Sequence, residues 1–151
     1  MIDAARTHVL LVRVGGSLGA LPIADVVETM RPLPMQAVSG LPPFVSGVAV
    51  VRGTAIPVVD LSRLVAGRTE AAPGRFVTVR LGDRSVALAV EAVVGVREID
   101  AAQLRALPPL LGAAGGIAAL SGLDDRLLMV LAGSRTLLED VERALEARGA
   151  P

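Results

Sequence analysis

The sequence predicts a mainly β protein built from two copies of one small β-rich unit, and three observations predict it. First, residues 12–31 laid on residues 79–98 match without a gap at Val12/Val79, Arg13/Arg80, Gly15/Gly82, Ala20/Ala87, Leu21/Leu88, Val26/Val93 and Val27/Val94. Such self-similarity marks one supersecondary unit used twice. Second, 52% of the 151 residues are apolar, yet there are two Phe and no Trp or Tyr, so the cores must be filled by Val, Leu, Ile and Ala. That composition favours β-branched packing on strands. Third, apolar and polar residues alternate with a period of two in short runs broken by glycine, the signature of strands joined by tight turns.

A second block supports the repeat. Leu41-Pro42-Pro43 recurs as Leu107-Pro108-Pro109, and Gly47-Val48-Ala49-Val50-Val51-Arg52-Gly53 as Gly116-Ile117-Ala118-Ala119-Leu120-Ser121-Gly122. This alignment sets Ser121 opposite Arg52 and, after two or three inserted residues, Ala132 opposite Asp60. At this length the chain is one domain, or two very small units sharing a boundary. A unit of half that size buries little alone, so a third patch of core is expected between the two.

Taken in order, residues 8–14 and 18–23 form a first hairpin around Gly15-Gly16-Ser17. The second copy repeats it. Arg75-Phe76-Val77-Thr78-Val79-Arg80-Leu81 puts Val77, Val79 and Leu81 on one face and Thr78 and Arg80 on the other, as a half-buried strand requires. Gly82-Asp83-Arg84 turns the chain, and Val86, Leu88 and Val90 then share a face. A short apolar strand ending in charge follows in each copy, at 26–31 and 93–98. Pro32, Pro34 and Pro42-Pro43 forbid a long helix in the first crossing. In the second, Asp100 three before Gln103 signals one helical turn through Leu104.

Residues 48–51 and 55–59 flank Arg52-Gly53-Thr54, so a turn projects a charge between two apolar strands. Pro57 suggests an edge or a bulge. Asp60 can cap a short helix over 61–66, with Gly67 placed to end it. Residues 68–74 join the halves. Ser134 or Thr136 can open a terminal helix whose Leu137, Leu138, Val141 and Leu145 form one apolar stripe, with Glu139 preceding Arg143 by four.

Composition also excludes function classes. Fifteen basic and fifteen acidic residues cancel and Lys is absent, so no net field draws the chain to nucleic acid or anionic lipid. Zero Cys removes disulfides and thiolate metal sites and fits a cytoplasmic setting. No secretion signal is visible at the start. The most apolar tract, 106–123, is broken by Pro108-Pro109, Gly112, Gly115-Gly116 and Gly122 and reads as loop and strand, not a membrane span.

The inventory for catalysis is thin. The one His, His8, opens a strand and has no implied Ser or Asp partner, so it reads as a surface or strand-edge residue. Carboxylates are single apart from Asp124-Asp125 in a turn and Glu139-Asp140 on the terminal helix, so no metal and no cofactor is expected. Without Lys no P-loop is possible. An enzyme would need clustered ionisable groups. What remains is a small β protein with ample apolar surface and isolated charges at turns, a recognition module.

From Phe44 through Gly47-Val48-Ala49-Val50-Val51-Arg52-Gly53-Thr54-Ala55-Ile56-Pro57-Val58-Val59-Asp60-Leu61, the sequence resembles the CheW family, whose hallmark reads approximately G-V-x-N-L-R-G-x-x-x-P-V-x-D-L. The resemblance extends more loosely, from Ala20-Leu21-Pro22-Ile23 and Val26-Val27-Glu28 to Leu137-Leu138, over essentially the whole chain. It is to the free-standing coupling protein, not to the related domain of CheA or the receiver-fused CheV type.

The resemblance implies two tandem five-stranded SH3-like β-barrels packed together, about 8–67 and 74–133, with a C-terminal helix near 135–148 and exchange of strands between the barrels left open. It implies a non-enzymatic adaptor that links the cytoplasmic tip of methyl-accepting chemoreceptors to a CheA-like histidine kinase, reaching membrane-associated arrays through its partners without inserting in the bilayer. Arg52 matches the family's turn arginine and Glu28 the acidic residue closing the third strand, both associated with receptor contact. Val48 and Val50 are apolar candidates for partner binding that could equally be core. Asp60 matches too, but a helix cap accounts for it. Val50 stands where the family usually has Asn, and Ala132-Gly133 where an acid is common, which suggests a divergent member. The alternative is a divergent barrel protein that binds a small ligand or regulates a kinase in a non-flagellar output.

Overall fold

The computed structural model describes residues 6–66, 72–81, 83–100, 105–106, 117–123 and 126–131. The expected helix over 135–148, the helix-ending Gly67 and the Asp124-Asp125 turn lie outside them. In chain order the elements are β1 (Arg6–Val14), β2 (Ser17–Pro22), a 3-10 turn (Ile23–Asp25), β3 (Val26–Met30), β4 (Val45–Val51), β5 (Thr54–Asp60), α1 (Leu61–Ala66), β6 (Arg75–Leu81), β7 (Arg84–Val90), β8 (Ala92–Asp100), β9 (Arg105–Ala106), β10 (Ile117–Leu123) and β11 (Arg126–Leu131). The fold is mainly β, as expected, in two sheets.

One sheet has the order β8-β1-β2-β11-β10-β9 and the other β3-β6-β7-β5-β4. The repeat makes β1, β2, β8, β11 and β10 the counterparts of β6, β7, β3, β5 and β4, so the two orders superimpose, with the two-residue β9 added to the first. Each sheet therefore takes its leading hairpin from one copy and its remaining core strands from the other. Two of the joints between copies are antiparallel, β1–β8 and β3–β6, and two are parallel: Ala20 faces Val130 across β2–β11, and its repeat partner Ala87 faces Val58 across β7–β5.

That register corrects one feature of the sequence alignment. Val130 occupies the place of Val58, so the closing pair Leu123↔Arg126 corresponds to Val51↔Thr54. Ser121 pairs with Leu128 within the strand and is not the counterpart of Arg52. The second block of the repeat, 47–53 on 116–122, misled because runs of Val, Ala and Leu align at several offsets.

Among the described residues the buried apolar side chains fall in three clusters, one of them between the sheets, and each draws on both copies rather than only one patch lying between them. Leu10, Val12 and Leu21 of one sheet pack on Val77, Val86 and Leu88 of the other. Alternate residues of the same strands turn away: Val9 and Leu11 join Leu18, Ala20 and Ile99, while Ala87 and Ala89 join Ala49, Ile56, Val58 and Phe76. β1 and β7 are thus buried on both faces, which explains their continuous apolar runs.

β6 differs from its half-buried expectation for this reason. Thr78 is only 3% exposed, because the second face of β6 covers the core around Phe76. Its hydroxyl donates to the Glu28 carbonyl at 3.3 Å, so burial leaves it satisfied. One further expectation is modified. Pro57 lies on an internal strand, tolerated because the β5–β7 ladder begins at Val58. Asp100 ends β8, and the helical turn expected after it falls on residues 101–104, outside the described residues.

The turns obey local rules. Gly15 and Gly16 both have positive φ, 55° and 82°, as a two-residue hairpin turn matching strand twist demands. Asp60 caps α1 by accepting from the Arg63 backbone N–H at 3.2 Å and the Ser62 hydroxyl at 2.7 Å. The first Pro-rich crossing is clipped to the free edge of β4 by two bonds: Gln36 N–H to the Val48 carbonyl at 2.8 Å, and Val48 N–H to the Gln36 carbonyl at 2.9 Å. This approach needs a glycine next door, since a Cβ on Gly47 would lie 2.6 Å from the Gln36 oxygen. Gly47→Ala is expected to destabilise the protein by about 1–3 kcal/mol through forced backbone displacement, read as a lower urea midpoint at unchanged slope.

Candidate docking site

β3 and β4 are opposite edges of the five-stranded sheet, yet the turn after β4 reaches back to β3. Arg52 Nε donates to Glu28 Oε1 and an Arg52 terminal nitrogen to Glu28 Oε2, both at 2.8 Å. This two-bond fork matches the planar geometries of guanidinium and carboxylate and fixes both side chains. The two residues singled out in the sequence are therefore one feature, a clasp across the seam where the curled sheet would otherwise gape.

Local structure aims both partners. The β3–β6 register slips between Val26 and Glu28, leaving Val27 as a bulge residue that is 53% exposed. Bulges re-aim the side chains that follow. Arg52 has φ 50° and Gly53 φ 81°, so both central residues of the turn are left-handed. Arg gains nothing from that conformation, where Asn or Gly would be at ease, and strain of this kind collects at functional positions. Arg52 remains 78% exposed despite its ion pair, against 27% for Glu28, so the guanidinium still presents a face to solvent.

Hydrogen bonding to Arg52 holds the Glu28 carboxyl below its ordinary pKa, opposed by partial desolvation and aided by Coulombic attraction. The same contacts push the Arg52 guanidinium further up. A depressed carboxyl stabilises the folded state at pH values above its unfolded pKa, and the contribution disappears as pH falls through the lower folded value. Thermal melts of wild type and Glu28→Gln should therefore differ near pH 7 and converge in acid, below the ordinary glutamate range of about 4.3.

The two apolar candidates sit beside the clasp. Val50 is 65% exposed and Val48 half-buried, while Ala49 between them points into the core at 1%. Neither valine is core. With Leu33, Met35, Val38 and Ala55 they line an open groove of about 590 Å³ between the β4–β5 hairpin and the first crossing. Val50 in place of the family's usual Asn thus adds apolar surface to a groove that is already apolar.

Other groups are less concentrated. Sequence reasoning missed that His8, Arg6 and Glu98 meet across β1–β8: Arg6 bonds one Glu98 oxygen, and His8 Nε2 lies 3.4 Å from the other. The pairing His8↔Glu98 needed a register that only the fold supplies. All three are exposed. A pocket of about 200 Å³ between the sheets is lined by Ser46, Asp60, Ser62 and Glu91 among others. Among the described residues no three His, Cys, Asp or Glu cluster in a way that could hold a metal, and no helix is long and apolar enough to cross a membrane.

None of the curated proteins compared matches the chain. Among solved structures it is similar to the scaffolding protein TtCheW from Thermoanaerobacter tengcongensis, with a TM-score of 0.75, 23% identity and 83% of each chain covered, a likeness of fold. The family model of the CheW-like domain matches residues 8–141, nearly the whole repeat architecture. The chain therefore belongs to the CheW-like domain family, which comprises non-enzymatic scaffold and adaptor proteins of chemotaxis.

Proposed function

We propose that this protein is a coupling adaptor that docks the cytoplasmic tip of a chemoreceptor and a CheA-like histidine kinase at the same time, at membrane-associated arrays to which its partners recruit it. The observation that carries this reading is the Arg52–Glu28 clasp. It is a rigid, strained and solvent-facing polar anchor, flanked by the exposed Val50 and the apolar groove. An arginine beside an apolar patch is the composition of an interface hot spot. Signal would pass as coupling free energy between docked surfaces, with no bond made or broken.

A ligand-binding role is less well supported. The inter-sheet pocket, at about 200 Å³, falls under the roughly 300 Å³ at which small-molecule sites begin, and the larger groove is open and lined almost wholly by apolar side chains, without convergent polar groups. The pocket's Asp60 and Ser62 already bond to each other.

The test is capture of a receptor cytoplasmic fragment and of the kinase by wild type and by Arg52→Asn. Asn is at ease at positive φ, so the turn should hold, and melting should fall by no more than it does in Glu28→Gln, which loses the same ion pair. Receptor capture is expected to weaken roughly tenfold or more, while kinase capture persists. Unchanged receptor capture would remove Arg52 from the docking surface.

A further inference from the structure

We propose that this chain can exchange halves with a second copy of itself, the first half (residues 6–66) of one molecule completing both sheets with the second half (residues 72–131) of another. The basis is that, among the described residues, every buried apolar cluster draws side chains from both halves. Of the three apolar clusters, the central one joins Leu10, Val12 and Leu61 to Val77, Val86 and Leu88. The second joins Val9 and Leu18 to Ile99, and the third joins Ile56 and Val58 to Phe76.

Backbone pairing divides the same way. β1–β8, β2–β11, β3–β6 and β5–β7 all run between halves. Within the first half the hairpins β1–β2 and β4–β5 and the Gln36–Val48 clip remain, and isolated two-stranded hairpins are marginal in water. Each half is thus an unfilled template whose one chemically complementary occupant is the other half.

Nothing in those contacts records which molecule the occupant belongs to. The only covalent connection between the halves is the chain between Ala66 and Ala72, and an exchanged dimer keeps every ladder and all three cores. The choice between monomer and dimer is then set by concentration. A short tether holds the halves at an effective concentration of about 1 mM, so refolding at roughly 10 μM gives about 1% exchanged dimer and refolding near 1 mM gives comparable amounts of both. Returning to monomer requires opening two sheets, so the dimer should persist on dilution, governed by the unfolding rate.

The chain has no Cys, which gives a clean test. His8 and Glu98 are exposed, face each other across β1–β8 and belong to different halves. His8→Cys and Glu98→Cys proteins, unfolded together, refolded at roughly 1 mM and oxidised, should give a disulfide-linked heterodimer, falling roughly a hundredfold in yield at about 10 μM. Mixing the two folded proteins should give none. Wild type refolded at roughly 1 mM should also show a species of twice the monomer mass by light scattering, with unchanged circular dichroism, that survives dilution.

The double variant His8→Cys/Glu98→Cys should close its own disulfide at low concentration, confirming the pair's reach. Exchange is overturned if concentrated refolding gives only monomer, if the dimer dissociates on dilution as a surface contact would, or if the double variant closes while the co-refolded single variants do not link.

Discussion

Phe76→Ala is expected to destabilise the protein by about 3–5 kcal/mol, the largest stability loss predicted for any single side chain here. Phe76 is fully buried, one of two phenylalanines in the chain, and the largest side chain in the cluster formed by Ala49, Ile56, Val58, Ala87 and Ala89. Ile56 and Val58 on β5 and Ala87 and Ala89 on β7 sit on strands laddered on both sides, so the void can collapse only in part. Domains of this size are stable by about 5–15 kcal/mol, so the loss is a large fraction of the total. Urea denaturation should show a much lower midpoint with the slope retained. A loss below about 1 kcal/mol would mean that the site relaxes, contrary to the close packing described.

The second large effect separates the clasp as support from the clasp as contact. Arg52→Glu alone sets two carboxylates against each other across the seam and should lower the melting temperature. The reciprocal exchange Arg52→Glu with Glu28→Arg rebuilds the pair with its charges reversed and should recover most of that loss. Receptor capture should not recover, remaining weaker by roughly a hundredfold, because the outward face now offers the opposite charge. Recovery of both together would show that the pair serves only to hold the barrel's shape.

Much of this molecule was legible before its coordinates. Period-two alternation located both hairpins, and Asp60 with the apolar residues after it located α1, because those signals are local. That the copies must share core followed from unit size, but not that each described cluster would draw on both. What was not legible depends on register. Thr78 reads as solvent-facing until β3 and the core around Phe76 cover it. Arg52 and Glu28 were each identifiable from the family motif, but residues 24 apart on opposite sheet edges announce no bond in a sequence. Ser121 was misplaced for the same reason: a run of small apolar residues fits several offsets, and only hydrogen bonding selects one.

The interleaving of the copies also has a consequence during synthesis. When Ala66 has been translated, β3 and the β4–β5 hairpin exist, but β6 and β7, which lie between them in the finished sheet, do not. At about 5–20 residues per second, the ribosome leaves those edges and their valines exposed for seconds before β6 and then β7 emerge. Nascent-chain protection by a holding chaperone, or a slow pace of translation after the first half, should therefore change the yield of this protein more than that of a domain whose early strands pair as they appear.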